Sequence, residues 1–518
     1  MPPDVDSVRQ ISVKAAMTDT LFPSTPKTKF KLSWKRLLHL AMLFVLVFGS
    51  VRQAANAQTA KTLSQVKKVF VDSFGRDEAA ERLRERMLEQ LGKSGRVEVV
   101  NSSSAADAVI RGSESIWIAG YVSSDPRNHS NARQTIFHGF VSAEVVGIGN
   151  ETLWSYLVTP SKYRTGSITH DLADQIVKRF IGALEAKKEN LPATAGGVAK
   201  GVEIKLIGAG ATFPAPIYQK WFESFEERNP GAQITYQAVG SEEGLRLLTD
   251  GKVDFAGSDV SVSDEDSKEL GAPLLHFATV MGAVVPIYNL PGVDRNLNFT
   301  PEVLADIYMG KIRKWNDPKI RESNKGVSLP DSDIVAIHRS DGSGTTFVWT
   351  DYLSKVSSEW KRSVGTGTTV HWPLGTGAQG NEGEAAAVQQ APNSIGYVEL
   401  VYALRHQLSF GAVRNSAGEF VQANLASVSA AASAAAREMT ADFRVSITNA
   451  EGKDAYPIAT FTWWVMPRDF RGAEKKEAFL ELLKWMLSFG QKECSALGYA
   501  PLPREIVSRE LQFLTTLQ

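Results

Sequence analysis

The sequence predicts an α/β protein with a small leading domain and a larger trailing one, on three observations. Apolar runs of strand length alternate with stretches of helical period along the chain. A polar, non-periodic, Gly- and Ala-rich stretch, "KKENLPATAGGVAKGV" (187–202), separates two such regions and reads as a linker. The length, 518 residues, is more than three times the roughly 150 residues of a typical domain. With 43% hydrophobic and 22% charged residues, the chain can bury a core.

The N-terminal stretch carries an address. Lys27, Lys29, Lys31, Lys35 and Arg36 precede the apolar run "LLHLAMLFVLVFGSV", Leu37 to Val51, and Ala55-Asn56-Ala57 follows. A basic flank, an apolar run of about 15 residues and an Ala-x-Ala end make a secretory signal. The run is short against the roughly 20 residues of a membrane span. An uncleaved anchor is the alternative, and in either case the bulk of the chain is exported.

Residues 58–186 predict a small α/β domain. "VKKVFVDSF" reads as a strand, and Leu83, Met87, Leu88 and Leu91 fall on one helical face. "RVEVV", "ADAVIRGSESIWI" and "GFVSAEVVGIG" read as strands. Leu172, Ile176, Phe180 and Leu184 recur at four-residue steps in a closing helix. No catalytic constellation is visible there; His138 and His170 read as structural or surface residues.

Composition excludes several functions. The formal net charge is zero, unlike the basic excess of nucleic-acid-binding domains. The single cysteine, Cys494, rules out an intramolecular disulfide and a cysteine-based metal cluster. The eight histidines form no His-Glu-x-x-His pair, so no metal or cofactor is expected.

Beyond residue 202, four stretches share one design: a strand end, small and hydroxyl residues, then usually a helix start. In "IKLIGAGATFPAPIYQKWFESF", Thr212 and Phe213 sit just before a helix that Pro216 opens and that Ile217, Trp221, Phe222 and Phe225 bury. Backbone N–H groups at such a terminus favour an anion. In "YQAVGSEEGLRLL", Ser241 either caps its own helix or turns its hydroxyl to a ligand. In "GKVDFAGSDVSVSDED", Asp259 follows the buried strand Val253 to Ala256, while Asp264, Glu265 and Asp266 read as a solvated helix start. Ligands of open α/β sheets bind at such carboxyl ends of strands.

The fourth stretch is "DIVAIHRSDGSGTTFVWT". A strand ends at Arg339, a tight polar loop follows, and a helix begins near Phe347. Arg339 supplies a fixed charge with a forked set of donors, and Asp341 is placed to hold it. The loop lacks the lysine of a nucleotide P-loop. Asp341, not glycine, stands two residues before Ser343, which excludes a serine-hydrolase elbow. Four loops of this kind suggest one site converging on a small anion. "ASVSAAASAAARE", Ala426 to Glu438, predicts a helix without an evident role.

With these stretches in hand, the chain from about 203 to 518 resembles the phosphate-specific periplasmic binding proteins of bacterial ABC transporters. The carriers are "GAGATFPAPIYQKW", "VDFAGSD", "DIYMGKIRKWND", "RSDGSGTTFVWTDYL", "VGTGTTVHWP", "GNEG" and "SIGYVELVYA". The resemblance implies a two-lobed, type II-like periplasmic binding protein with a hinge, its phosphate closed between α/β lobes. Lobe I would span 203–285 plus 455–518, and lobe II 286–454, with 1–57 as extension and signal, 58–186 as the extra domain and 187–202 as linker. It implies phosphate donors at Thr212, Phe213 (through its backbone N–H), Ser241, Arg339, Ser343, Gly344 and Thr345. Asp259 would accept the phosphate proton and Asp341 would orient the arginine. It implies a non-enzymatic role, with inorganic phosphate and a membrane permease as partners and no nucleic acid or metal. Two features depart from the family: Glu242 and Glu243 stand where small residues are usual, and the domain at 58–186 is added.

Overall fold

The computed structural model describes residues 62–123, 133–160, 168–185, 204–263, 267, 273–293, 295–435, 444–469 and 472–517. The secretory signal in 1–57, the linker 187–202, Asp264 to Asp266 and the end of the alanine-rich stretch at Glu438 lie outside the described residues.

The first region is a five-stranded sheet under two helices. Its strands are β1 (Lys68–Val71), β2 (Glu98–Val99), β3 (Ala108–Ser123), β4 (Arg133–Gly147) and β5 (Thr152–Val158), in the order β2-β1-β3-β4-β5. β1 pairs parallel with β2 and β3, and the remaining pairs are antiparallel. Helix α1 (Glu78–Ser94) is capped by the Asp77 carboxylate, which accepts from the Ala80 N–H, and ends on left-handed Gly95. Leu83, Met87 and Leu91 of α1 and Leu172, Ile176 and Phe180 of α2 (Ile168–Glu185) share one buried core. β5, "TLWSYLV", buries Thr152, Leu153, Ser155 and Val158, an irregular pattern that carries no clean two-residue alternation. His138 is buried in β4, where desolvation lowers its pKa to about 4, and His170 is exposed.

The second region is organised on one nine-stranded sheet. Its named path runs β11 (Thr376–Ala378), β10 (Val335–Arg339), β12 (Ser394–Glu399), β9 (Leu274–Asn289), β13 (Ala459–Pro467), β8 (Phe255–Ser258), β6 (Ile204–Gly210), β7 (Ala232–Ala238). β6 lies parallel to β7 and β8, and β10 lies parallel to β11 and β12. The 16-residue β9 joins these two parallel groups. Its first part, Leu274–Ala283, pairs antiparallel with β13; its second, Val284–Asn289, pairs antiparallel with β12. Nearly every residue of β9 is buried, as a strand covered on both faces must be. Each parallel group thus forms a lobe, and the chain crosses between them along β9 and through the return to β13.

The two regions touch. Ser142 Oγ on β4 donates to the Ala496 carbonyl at 2.7 Å. Ser155 Oγ on β5 donates to the Lys492 carbonyl and accepts from the Ala496 N–H at 3.1 Å. The segment they grip leads directly to Tyr499, whose hydroxyl donates to the Phe213 carbonyl at 2.6 Å.

Candidate functional site

The loops of interest leave the carboxyl ends of four parallel strands. Thr212 and Phe213 follow β6 and precede α3 (Ala215–Arg228), in whose first turn Pro216 stands. Phe213 is fully buried, its ring against Gly282 of β9, where an added methyl would lie 2.6 Å from it. Ser241 follows β7 and opens α4 (Ser241–Thr249). Gly240, at φ 101°, is the residue before the helix, a conformation that side chains rarely adopt. The Ser241 hydroxyl does not cap α4; it accepts from the Asp259 N–H at 3.3 Å. Asp259 follows β8. Arg339 ends β10, and α5 (Gly344–Val356) begins three residues earlier than the apolar pattern suggests, because Ser343 caps it by accepting from the Thr346 N–H at 3.1 Å.

These groups converge. An added methyl on Gly344 would lie 2.7 Å from Asp259 Oδ2 and also overlap the Ser241 hydroxyl, so only glycine fits between the two lobes there. The Asn381 side chain donates to Thr212 Oγ1 at 2.8 Å and to Thr345 Oγ1 at 3.1 Å. Arg339 is 3% exposed. Its Nε donates to Asp341 Oδ1 at 2.7 Å, its Nη2 pairs with Asp341 Oδ2, and Nη1 has no hydrogen-bond partner among the described residues. Burial opposes the guanidinium's charge, but the Asp341 bonds outweigh it and hold the pKa above the ordinary arginine value. For Asp341, burial pushes up, and the Arg339 bonds and the Gly380 N–H, at 3.0 Å, hold it below the usual carboxylate range.

The four hydroxyls have a common polarity. Thr212, Ser241, Ser343 and Thr345 each accept from a protein N–H, and none donates to an acceptor among the described residues. Their protons are therefore free to donate elsewhere. Arg339 Nη1 adds another donor. Against these stands one carboxylate. Asp259 is 2% exposed, and its Oδ1 accepts from Thr462 Oγ1 at 2.6 Å. Burial raises its pKa to about 7, against the opposing pull of the Thr462 bond and the Arg339 charge. A site with many donors and one proton-accepting carboxylate suits a small oxyanion that carries one proton.

The two glutamates of α4 each have partners outside the ligand set. Glu243 pairs with Arg246 on its own helix, at 2.6 Å and 2.7 Å. Glu242, exposed, reaches across the cleft: its Oε2 accepts from Thr368 Oγ1 at 2.8 Å and Thr369 Oγ1 at 3.3 Å.

Several partners were not singled out in the sequence. Asn381 opens α6 (Gly380–Gln390) and lies in the "GNEG" motif, so a signal existed. Thr462 lies inside the uniformly buried β13, where nothing marks it. Glu384 and Tyr397 pack beneath the arginine; the Tyr397 hydroxyl accepts from the Arg339 N–H at 3.2 Å and its N–H donates to Glu384 Oε1 at 2.8 Å. Burial pushes Glu384 well above the carboxylate range.

Two α/β lobes on a shared sheet, with a polar cleft at their strand ends, define a two-lobed ligand-binding protein. The chain matches the PBP superfamily domain over residues 190–488. It is 44% identical over 308 residues to the phosphate-binding protein PstS of Xylella fastidiosa, covering 59% of this chain and 84% of that protein. It is 43% identical over 307 residues to PstS of Pasteurella multocida, covering 59% and 88%. A solved periplasmic phosphate-binding protein, PfluDING, is 21% identical and covers 59% of this chain and 92% of its own, at a TM-score of 0.49. The chain belongs to the PBP superfamily and, within it, to the PstS phosphate-binding proteins.

Proposed function

We propose that the protein binds inorganic phosphate between its lobes in the periplasm and delivers it to the permease of an ABC transporter, without catalysis. The observation that carries this reading is the mismatch inside the cleft: a buried arginine with a free Nη1 and four hydroxyls with free protons, against one acceptor, Asp259. Lobe I is taken as 203–285 plus 455–518 and lobe II as 286–454, after an accessory domain at 58–186. Lobe I contributes Thr212, the Phe213 N–H, Ser241 and Asp259. Lobe II contributes Arg339, Ser343, the Gly344 N–H and Thr345, with Asp341 holding the arginine. Ligand charge is met by the guanidinium and by the N-terminus of α5.

Selectivity follows from the proton. Monohydrogen phosphate has an O–H for the Asp259 carboxylate; sulfate has none. A buried charged acceptor facing a lone pair costs at least roughly 1–3 kcal/mol. Sites that demand a ligand donor reject analogues lacking it by about 10⁴-fold or more. Charge-assisted hydrogen bonds of roughly 1.5–3 kcal/mol each, less the cost of closing the lobes, reach about −8 kcal/mol, a micromolar dissociation constant. Glu242 on Thr368 and Thr369 would then fasten the closed form.

The test is phosphate uptake in a host deleted for its own phosphate-binding protein. Restored uptake by the parent chain and much weaker uptake by Arg339→Ala at limiting phosphate supports delivery; no uptake from a chain that binds phosphate contradicts it. A second reading, phosphate sensing through another envelope partner of the accessory domain, is favoured by the grip of β4 and β5 on the segment leading to Tyr499 and Phe213. A partner captured by the full chain with phosphate, and lost without it, would support sensing.

A further inference from the structure

We propose that Asn381 is the positioning residue that sets the polarity of the cleft, turning one hydroxyl from each lobe outward as a donor. This rests on the phosphate reading of the site and assigns a role to a residue outside the ligand set.

The direction of the amide is fixed by an unambiguous partner. The backbone N–H of Glu399 can only donate, and it donates to Asn381 Oδ1 at 3.0 Å. The Nδ2 end must then face the two threonines. An amide NH2 has two protons and no lone pair to offer, so both threonine oxygens are acceptors in these bonds. Thr212 Oγ1 also accepts from the Asn381 backbone N–H at 3.3 Å, an orphan donor of the first turn of α6. Both of its lone pairs are occupied, and its proton has to be given outward. Thr345 Oγ1, in the first turn of α5, has one lone pair occupied by Nδ2 and no acceptor among the described residues for its proton.

Asn381 is fully buried, so water does not compete for these bonds. A free threonine hydroxyl in such a cleft can donate or accept. A hydroxyl loaded by an N–H pays no reorientation when an anion arrives. Because Thr212 follows β6 in one lobe and Thr345 lies on α5 in the other, the same amide also reads the closed arrangement: its two bonds form together only when the lobes meet. Asn381 therefore couples donor polarity to closure. An isosteric acceptor there would have the opposite effect, drawing both hydroxyl protons away from the ligand.

Asn381→Asp keeps the acceptor for Glu399 and removes both donors. Phosphate is titrated by calorimetry into the full chain carrying Asn381→Asp, Thr212→Val/Thr345→Val, and all three changes, with melting curves confirming the fold. The added negative charge weakens binding in every background, and only the hydroxyl contribution depends on the threonines. We expect Asn381→Asp to cost at least about tenfold more affinity in the parent than in the double-valine background. Equal costs in both backgrounds overturn the proposal, since a structural or purely electrostatic role would be additive. If Asn381→Asp does not fold, Asn381→Leu runs the same cycle with the same two outcomes. A parent that binds no phosphate would instead refute the phosphate reading, so the two failures are distinguishable.

Discussion

The first region, the proposed accessory domain, and the binding cleft bury polar groups in different ways. In the accessory domain the charges answer one another near the surface. Arg86 forks onto Asp174 at 2.8 Å and 3.0 Å, and Arg111 meets Glu144 at 2.7 Å. The hydroxyls of Ser142 and Ser155, which hold the domain to the segment at 492–496, are used up in doing so. In the cleft the arginine is buried, one of its nitrogens has no partner, and four hydroxyls hold protons to give. A buried polar group left unpaired costs about 1–3 kcal/mol. Such a cost persists where a ligand removes it. The first region closes most of its polar groups on one another, with Glu114 Oε2 an exception, while the cleft holds its donors for a ligand.

The largest break in that contrast should come from the arginine. Arg339→Ala is expected to weaken phosphate binding by about ten- to a hundredfold, the worth of about one charge-assisted bond. Calorimetry on the full chain reads this; unchanged affinity would place Arg339 outside the site. Next comes selectivity. Asp259→Asn should narrow the preference for phosphate over sulfate by at least about tenfold. Because burial raises the Asp259 pKa to about 7, the parent should also take sulfate more readily as pH falls through that value, when the protonated carboxyl can donate. The Asn variant should lack that pH dependence, and an identical profile in both would contradict the role of Asp259.

The same shift bears on stability. The folded Asp259 binds its proton more tightly than the unfolded group, whose pKa is near 3.8. Its contribution is complete below about pH 4 and fades as pH rises through about 7. The ligand-free chain should therefore lose stability over that window, and Asp259→Asn should flatten part of the loss. Denaturant melts at pH 4.5 and 7.5 test it. Glu384, Glu399 and Glu510, all pushed upward by burial, keep their own share of the slope.

Smaller effects sharpen the contrast. Glu242→Ala removes two exposed bonds between the lobes and should weaken phosphate about two- to fivefold, in line with the fraction of a kcal/mol to about 1 kcal/mol of exposed polar contacts. Ser155→Ala should cost about 1–3 kcal/mol in stability and leave phosphate affinity unchanged, because its bonds are structural. A loss of affinity there would mean that the accessory domain acts on the cleft through the segment leading to Tyr499.

The two halves also differed in how readable they were. The strand–loop–helix pattern in the trailing region is local, and apolar strands ending in Gly, Ser, Thr and Asp marked each loop. Arg339 and Asp341 lie two residues apart, so their pairing was readable from spacing alone. The polarity of the site was not. It depends on Asn381, Thr462 and Glu399, which reach the loops from elsewhere in the chain through contacts that no local pattern records. Ser241 was ambiguous for the same reason: whether its hydroxyl caps α4 or meets Asp259 depends on the conformation of Gly240 and the end of β8. The start of α5 is not visible in the apolar pattern because the capping residue, Ser343, precedes its apolar face. In the accessory domain β5 shows no two-residue alternation because its residues pack on both its own core and the neighbouring lobe.

The most direct test of the account is titration of the ligand-free full chain with phosphate and then with sulfate at pH 8, where the Asp259 carboxylate is charged. The account predicts micromolar or tighter binding of phosphate and no measurable binding of sulfate. Comparable binding of both anions, or binding of neither, would contradict it.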